Sequence, residues 1–332
     1  IIGGSGKATL PGMAKNADVV IACRNEKKGK QALAKIVNRG AGRCELLSLD
    51  LADSASIRAA AKEAGERFGA IYGLINNAGV FDMSGAHKHT RDGHEQHYGT
   101  NYLAPALLSL LLMPSLKHAG TPESPARVVF VCSKLHEFCS GLELDDLTFK
   151  RRPYAARAAY AQSKLAELLF VRELERRMGV RGEEEDEEEN NNNNTTTGGG
   201  GGGGVEDGGL SGGGGATTEY EGAGYPPLTS PARSGGLTAR HSVNSASSVV
   251  EVNKCHVRAV AVHPGNIITG VVRTLPKLVQ VAYKIIMGYF LLTPPEGARA
   301  SLYAATREEA LDHALGLAPY FTSECVPRSP SA

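Results

Sequence analysis

Tryptophan is absent from this 332-residue sequence, and its six cysteines (Cys23, Cys44, Cys132, Cys139, Cys255 and Cys325) form no C-x-x-C pair. Scattered cysteines supply neither a zinc site nor a disulfide framework. They suit a reducing compartment, so the expected location is intracellular, cytoplasmic or membrane-associated. An excess of one charge is also missing. The formal net charge is +1, so nothing draws the whole chain to nucleic acid or to an anionic membrane. No uncharged apolar run reaches the roughly 20 residues of a membrane span. Leu278 to Leu292 is apolar, but it is too short to cross a bilayer comfortably and it contains Lys284. No signal peptide is visible, and the sequence begins at Ile1 rather than Met, inside what looks like a motif.

What is present is an ordinary globular composition, 42% hydrophobic, long enough for one large α/β domain or two smaller ones. The most informative stretch is Ala155 to Met178. Ala, Leu, Glu, Lys, Arg and Met dominate it, which predicts a helix. Leu165, Leu168, Leu169 and Leu174 give it an apolar face. Tyr160 and Lys164 are four apart, so they share a face. A phenol titrates near about 10 in water, too high for a base at neutral pH. A nearby ammonium favours the phenolate, so Tyr-x-x-x-Lys on a helix is one way to make a tyrosine that exchanges protons.

Around this helix, strands and helices alternate. Ile1 to Thr9 reads as the end of a strand, a glycine turn and a helix start, where the backbone can approach a pyrophosphate. Asp18 to Cys23, Glu45 to Leu49, Ile71 to Ile75, Arg127 to Cys132, His256 to His263 and Tyr320-Phe321 read as strands. Helices are predicted over Glu26 to Asn38, Asp53 to Phe68, Asn101 to Leu116 and Pro295 to Thr306. Alternation of this kind argues a parallel sheet covered on both faces. Arg24, Asp50, Asn77, Ser133 and Pro264 then fall at strand ends, where open α/β sheets bind ligands. At the end of the second strand an arginine accommodates a ribose 2′-phosphate, so Arg24, with Lys7, points to NADP.

Two features invite other readings. His87, His89, His94 and His97 lie in one polar segment without a cysteine, and their spacing fits no common zinc pattern. A solvated loop and helix start is the expectation there, with no metal. After Met178 the texture changes: acidic, Asn, Thr and Gly blocks follow one another. Residues 182–250 hold 11 acids against two bases, and too little apolar surface to offset the entropy of ordering. The expected organisation is therefore 1–181, a disordered low-complexity insert at 182–250, and 251–332 completing the first part.

The pieces taken together resemble the short-chain dehydrogenase/reductase family. Those that carry the resemblance are Gly4-Ser5-Gly6-Lys7-Ala8-Thr9, Asp50-Leu51, Asn76-Asn77-Ala78-Gly79, Asn101, Ser133, Tyr160-Ala161-Gln162-Ser163-Lys164, and His263-Pro264-Gly265 with Thr269, in the family's order. The sequence looks most like the retinol dehydrogenase branch, on Ala22-Cys23-Arg24-Asn25, on Asp92-Gly93-His94-Glu95 before Gly99-Thr100-Asn101, and on the ending Tyr320 to Cys325. Protochlorophyllide reductases and WW-domain oxidoreductases share several of these. It departs from the family's T-G-x-x-x-G-x-G loop by beginning too late for the first glycine; Gly4 and Gly6 align with the second and third.

The resemblance implies a doubly wound parallel sheet of Rossmann type, a single domain apart from the insert. It implies an NADP(H)-dependent enzyme that moves a hydride between nicotinamide and a lipophilic alcohol or carbonyl. Tyr160 would be the acid/base, Lys164 its activator and ribose ligand, Ser133 the hydrogen-bond partner of the reacting oxygen, and Asn101 the anchor of a proton-relaying water. Gly4, Gly6, Lys7, Arg24, Asp50, Leu51, Asn77, Ala78, Gly79, Pro264, Gly265 and Thr269 would hold the cofactor with Tyr160 and Lys164. His136 is assigned no role. Leu278 to Leu292 would cover the substrate pocket, with shallow peripheral membrane contact as its alternative. The alternatives for the whole chain are a protochlorophyllide reductase-like enzyme, or a catalytically weak cofactor-binding protein whose insert recruits partners.

Overall fold

The computed structural model describes residues 2–3, 17–37, 43–178, 255–265, 291–312 and 320–328. The chain divides into one compact unit of residues 1–181 with 253–332, and another of 182–252. The second unit, including the expected insert, lies outside the described residues, and so do Gly4, Gly6, Lys7, Thr269 and all of the 278–292 run before residue 291.

Eight described strands form one sheet: β1 (Ile2–Gly3), β2 (Val19–Cys23), β3 (Cys44–Ser48), β4 (Gly73–Asn76), β5 (Ala126–Val131), β6 (Val257–Val262), β7 (Tyr320–Phe321) and β8 (Pro327–Arg328). Their order is β3-β2-β1-β4-β5-β6-β7-β8. Ile2 of β1 pairs in parallel with Ile21 on one side and Ile75 on the other, so the winding reverses between β1 and β4. That reversal is the switch point at which doubly wound sheets bind ligands beyond their strand ends. β8 is the exception: it runs antiparallel to β7, and its pairing was not legible as a strand in the sequence.

Seven helices among the described residues complete the frame: α1 (Glu26–Val37), α2 (Ser54–Phe68), α3 (Ala104–Leu111), α4 (Met113–Ala119), α5 (Ala156–Met178), α6 (Pro294–Thr306) and α7 (Glu309–Asp312). Successive strand residues point to opposite faces. Val20, Ala22, Leu74, Val128, Phe130 and Ala259 join a core with residues of α2 to α5, whereas Val19, Ile21, Ile75, Val129, Val260 and Val262 join a second core with α6. Both faces are therefore covered, which is why β5 and β6 read as continuous apolar runs rather than alternating ones. Burying a Val, Leu or Phe side chain contributes about 1.5–3 kcal/mol relative to exposure, so the central strands carry much of the stability.

Local signals set several boundaries. Asp53 caps α2, its carboxylate accepting from the Ala55 N–H at 3.0 Å. Thr293 and Glu296 form a capping box at the start of α6. The buried Arg127 donates Nη1–H to the carbonyls of Ala304 (3.2 Å) and Arg307 (2.6 Å), which places its charge at the C-terminal end of α6. The single helix expected over 101–116 is three pieces instead. A π-helical turn spans Tyr98–Leu103, α3 follows, and α4 starts afresh with Pro114 in its first turn. Proline has no N–H to donate to the preceding turn, so an uninterrupted helix cannot pass through it. Among the described residues no helix is long and apolar enough to cross a membrane.

Candidate active site

The site is built on the face of α5. Tyr160 is partly buried and its ring lies 4.3 Å from that of Phe81, centroid to centroid. Lys164, one turn on, is buried, with Nζ 5.8 Å from the Tyr160 ring centroid. The ammonium donates to the Val131 carbonyl at the end of β5 (3.0 Å) and to Glu167 Oε1 (2.7 Å). Burial works against a charged lysine, but the Glu167 carboxylate and the nearby Tyr160 outweigh it and hold Lys164 above the ordinary lysine range.

The π-helical turn brings Asn101 to the same place. Its Oδ1 accepts from the Val80 N–H (2.7 Å), and its Nδ2 donates to the Val80 carbonyl and to Ser163 Oγ, each at 3.0 Å. Ser163 Oγ in turn donates to the Tyr160 carbonyl (2.7 Å). Asn101 thus ties the turn after β4 to the tyrosine's own helix, and both its amide protons are used. Asn76 extends the brace by donating to Ser109 Oγ on α3 (3.0 Å). A Cβ on Gly79 would stand 3.3 Å from Asn101 Oδ1 and 3.7 Å from Lys164 Nζ. The tight contact is the one to Asn101, which would have to give by a few tenths of an ångström, so residue 79 sits closely against both Asn101 and Lys164.

Ser133 sits two residues past Val131, the carbonyl that holds Lys164. Its hydroxyl caps a short 3-10 turn, Lys134–Phe138, by accepting from the Leu135 N–H (3.3 Å). His136, given no role on sequence, is buried and bonds through Nδ1 to the Ser133 carbonyl (2.7 Å), so Nδ1 carries the proton. Its Nε2 has no hydrogen-bond partner among the described residues. His263, just beyond β6, accepts at Nδ1 from the Lys134 N–H (3.3 Å). Burial, with His136 and Lys134 close by, pulls the His263 imidazole down to about 4. Pro264 and Gly265 follow it. Gly265 has φ 78°, and a Cβ there would meet Leu292 and Ser323, so both its conformation and its surroundings require glycine.

The remaining expected cofactor residues spread along the same sheet edge. Arg24 is exposed one residue past β2. Asp50 turns its carboxylate onto the Ala52 N–H (3.0 Å) and takes part in the turn into α2, with Leu51 partly buried beside it. The arrangement brings Asn77, Ala78, Gly79, Asn101, Tyr160 and Lys164 together, and sets Ser133, Pro264 and Gly265 at neighbouring strand ends. The Lys164 ammonium beside Tyr160, at the switch-point edge of the sheet, fits the ribose end of a dinucleotide; the expected phosphate loop, with Gly4, Gly6 and Lys7, lies outside the described residues.

One expectation is overturned. His97 is not part of a solvated segment but fully buried, with its Nε2 accepting from the Asp82 N–H (3.0 Å) and its Nδ1 facing Glu95 Oε1 (2.9 Å). Glu95, also fully buried, accepts from the Tyr98 N–H (2.8 Å) and the Tyr154 hydroxyl (3.0 Å). Burial raises its carboxyl, but the bonds from His97 and Tyr98 outweigh that and lower it. The pair fixes the loop that carries Phe81, and the His97 ring meets Tyr160 edge-on at 5.9 Å. Polar neighbours in the sequence hid this, because a buried acid–imidazole pair looks the same as a solvated one in composition. Among the described residues no group of His, Cys, Asp or Glu could hold a metal ion.

The comparisons with known proteins bear on the fold and on the chain's relatives. The short chain dehydrogenase family model matches residues 1–142. Polyprenol dehydrogenase of Homo sapiens is 40% identical over 181 residues, 54% of this chain and 54% of that protein. Retinol dehydrogenase 12 of Mus musculus is 41% identical over 181 residues, 53% of this chain and 54% of that protein. The chain thus spans about half the length of these curated relatives. In fold, it is similar to a gluconate 5-dehydrogenase from Burkholderia cenocepacia, solved in complex with NADP and tartrate, with TM-score 0.55 and 17% identity over 98% of this chain and 93% of that one. By its sheet order and these relatives, the chain has the Rossmann-type fold of the short-chain dehydrogenases and is similar, over about half its length, to the retinol and polyprenol dehydrogenases.

Proposed function

We propose that the protein is an NADP-dependent oxidoreductase acting on a lipophilic alcohol or its carbonyl counterpart. The observation that carries the reading is the buried Lys164, anchored between α5 and the end of β5, beneath the ring of Tyr160 and against Gly79. Such a lysine is held where it can act on the tyrosine and on a ribose at once. When bound, the nicotinamide would supply the hydride or accept it. Tyr160 would give or take the proton at the substrate oxygen, and Ser133 would hydrogen-bond that oxygen as charge develops. Asn101 and Ser163 would keep Tyr160 and the β4 turn in register.

NADP is favoured by Arg24 at the end of β2, where a 2′-phosphate would be met by a guanidinium. The lipophilic substrate rests on the relatives, which are named for retinol and polyprenol. The test is turnover of a panel of lipophilic alcohols and carbonyls with NADP(H), by wild type and Tyr160→Phe. Removing the hydroxyl is expected to cost at least the roughly 10²–10⁴-fold that general acid–base catalysis supplies, with cofactor binding retained. Near-normal turnover by Tyr160→Phe would refute the mechanism.

A further inference from the structure

Glu167 has no part in the mechanism just given, yet it is built into the site. It lies on α5 three residues beyond Lys164, with its side chain buried. One oxygen, Oε1, accepts from the Lys164 ammonium at 2.7 Å. The other, Oε2, is buried away from any nitrogen or oxygen donor among the described residues, and the carboxylate has only the weak support of the Cys132 thiol besides the ammonium. From the strand side, the buried Cys132 faces the pair at the end of β5; burial holds its thiol well above the ordinary range. The titratable groups around the carboxylate are therefore Lys164 on its own helix and Cys132 on the sheet, with Tyr160 just beyond the lysine.

A buried carboxylate held by one ammonium and a thiol, a weak donor, is costly, and an apolar side chain at this helix position would avoid the cost. Its charge, however, acts on the ammonium that Tyr160 depends on. Lys164 alone would present a full positive charge to the phenol. With a carboxylate 2.7 Å away on the same ammonium, Tyr160 meets a dipole instead. Burial is the larger effect on the Glu167 carboxyl and raises it to about 7 against the pull of Lys164, so its negative charge is complete only above that pH, in the range where a phenol titrates.

We propose that Glu167 is a positioning residue: it holds the Lys164 ammonium at the end of β5, and its negative charge offsets that of the lysine at the Tyr160 oxygen, setting the pH at which Tyr160 exchanges protons. The proposal rests on the reading of Tyr160 and Lys164 as the proton-exchanging pair. Glu167→Gln keeps the shape and an oxygen for Nζ but removes the charge. The lysine then acts on Tyr160 unopposed, and the phenolate forms at lower pH. Lys164 also loses its counter-charge, but it starts above the ordinary lysine range, so the ammonium is still charged where the phenol titrates and the downward shift of Tyr160 wins.

The experiment uses the full chain without cofactor and follows phenolate absorbance against pH. The component belonging to Tyr160 is assigned by its loss in Tyr160→Phe. Glu167→Gln is expected to move that midpoint down by about one pH unit, and Glu167→Asp, which restores the charge, to return it toward wild type. Where a substrate has been found, both limbs of the pH–rate profile should move the same way. Glu167→Met, similar in volume and uncharged, repeats the titration if the amide variant does not fold. An unmoved midpoint in a folded neutral variant would overturn the proposal, because the carboxylate would then carry no charge that reaches Tyr160. Should Tyr160→Phe keep its turnover, the functional reading fails, while the titration still decides the role of Glu167.

Discussion

Arg24 and Lys164 are both cations at the C-terminal edge of the sheet, but their surroundings differ. Arg24 stands exposed beyond β2, whereas Lys164 is buried between two elements. Arg24 can therefore be removed without opening the core. If it binds a 2′-phosphate, the charge-assisted contact is worth about 1.5–3 kcal/mol, or roughly ten- to a hundredfold. The expected outcome is that wild type uses NADPH over NADH, and that Arg24→Ala loses most of that preference with little change in its use of NADH. The measurement is kcat/KM for each cofactor in both proteins; equal use of both by wild type would remove the NADP assignment. At this scale the sequence was legible where chemistry depends on spacing. Tyr160 and Lys164 share a face because they are four apart. Glu167 is three beyond Lys164 and shares it too, but an acid on a helix is most often solvated, and its burial appears only when α5 lies on β5.

Among the elements, the apolar runs and the caps made most of the sheet and helices readable, to within a residue or two. Pro114 carries a signal for the break between α3 and α4 that the expectation of one helix over 101–116 passed over, whereas the π-helical turn before them depends on tertiary contacts: Asn101 reaching Val80 and Ser163. The ends of β5 and β6 are joined in a similar way, by His263 accepting from the Lys134 N–H. That bond has a pH signature. The unfolded imidazole titrates near about 6.5, while in the fold it is lowered to about 4 by burial and by His136 and Lys134. The unfolded state therefore binds the proton first on acidification. The contribution of His263 is fully present above about 6.5 and is lost as pH falls toward about 4, to a ceiling of about 3 kcal/mol. His263→Asn keeps an acceptor for Lys134 but does not titrate. Its thermal midpoint should fall less than that of wild type between pH 7 and pH 5, before most carboxylates contribute. Parallel curves for the two proteins would show that the imidazole is not held in its uncharged form.

For the molecule as a whole, the long interruption between α5 and β6 is bridged within the described unit itself. Glu175 on α5 accepts from the Ala259 N–H on β6 (2.6 Å) and pairs with Arg258. Met178 and Cys255, which flank the interruption, touch at 3.4 Å between their sulphurs. The helix end and the strand start are thus already side by side, and a few residues could join them. The sequence of residues 182–250, with its run of acids and its Asn, Thr and Gly blocks, offers the core almost nothing to bury. Closing a loop becomes costlier by only about 0.6 kcal/mol for each doubling of its length. Replacing residues 182–249 with a short Gly-Ser linker should therefore stabilise the fold by about 1–2 kcal/mol. That corresponds to a thermal midpoint higher by about 2–6 °C, with turnover and NADPH binding unchanged. Both proteins would be compared by thermal unfolding and by steady-state kinetics on the same substrate. A lower midpoint would mean that the segment contributes to the core. Lost turnover at an unchanged midpoint would mean that it shapes the substrate pocket, and in either case its reading as a tolerated expansion of a surface connection would be wrong.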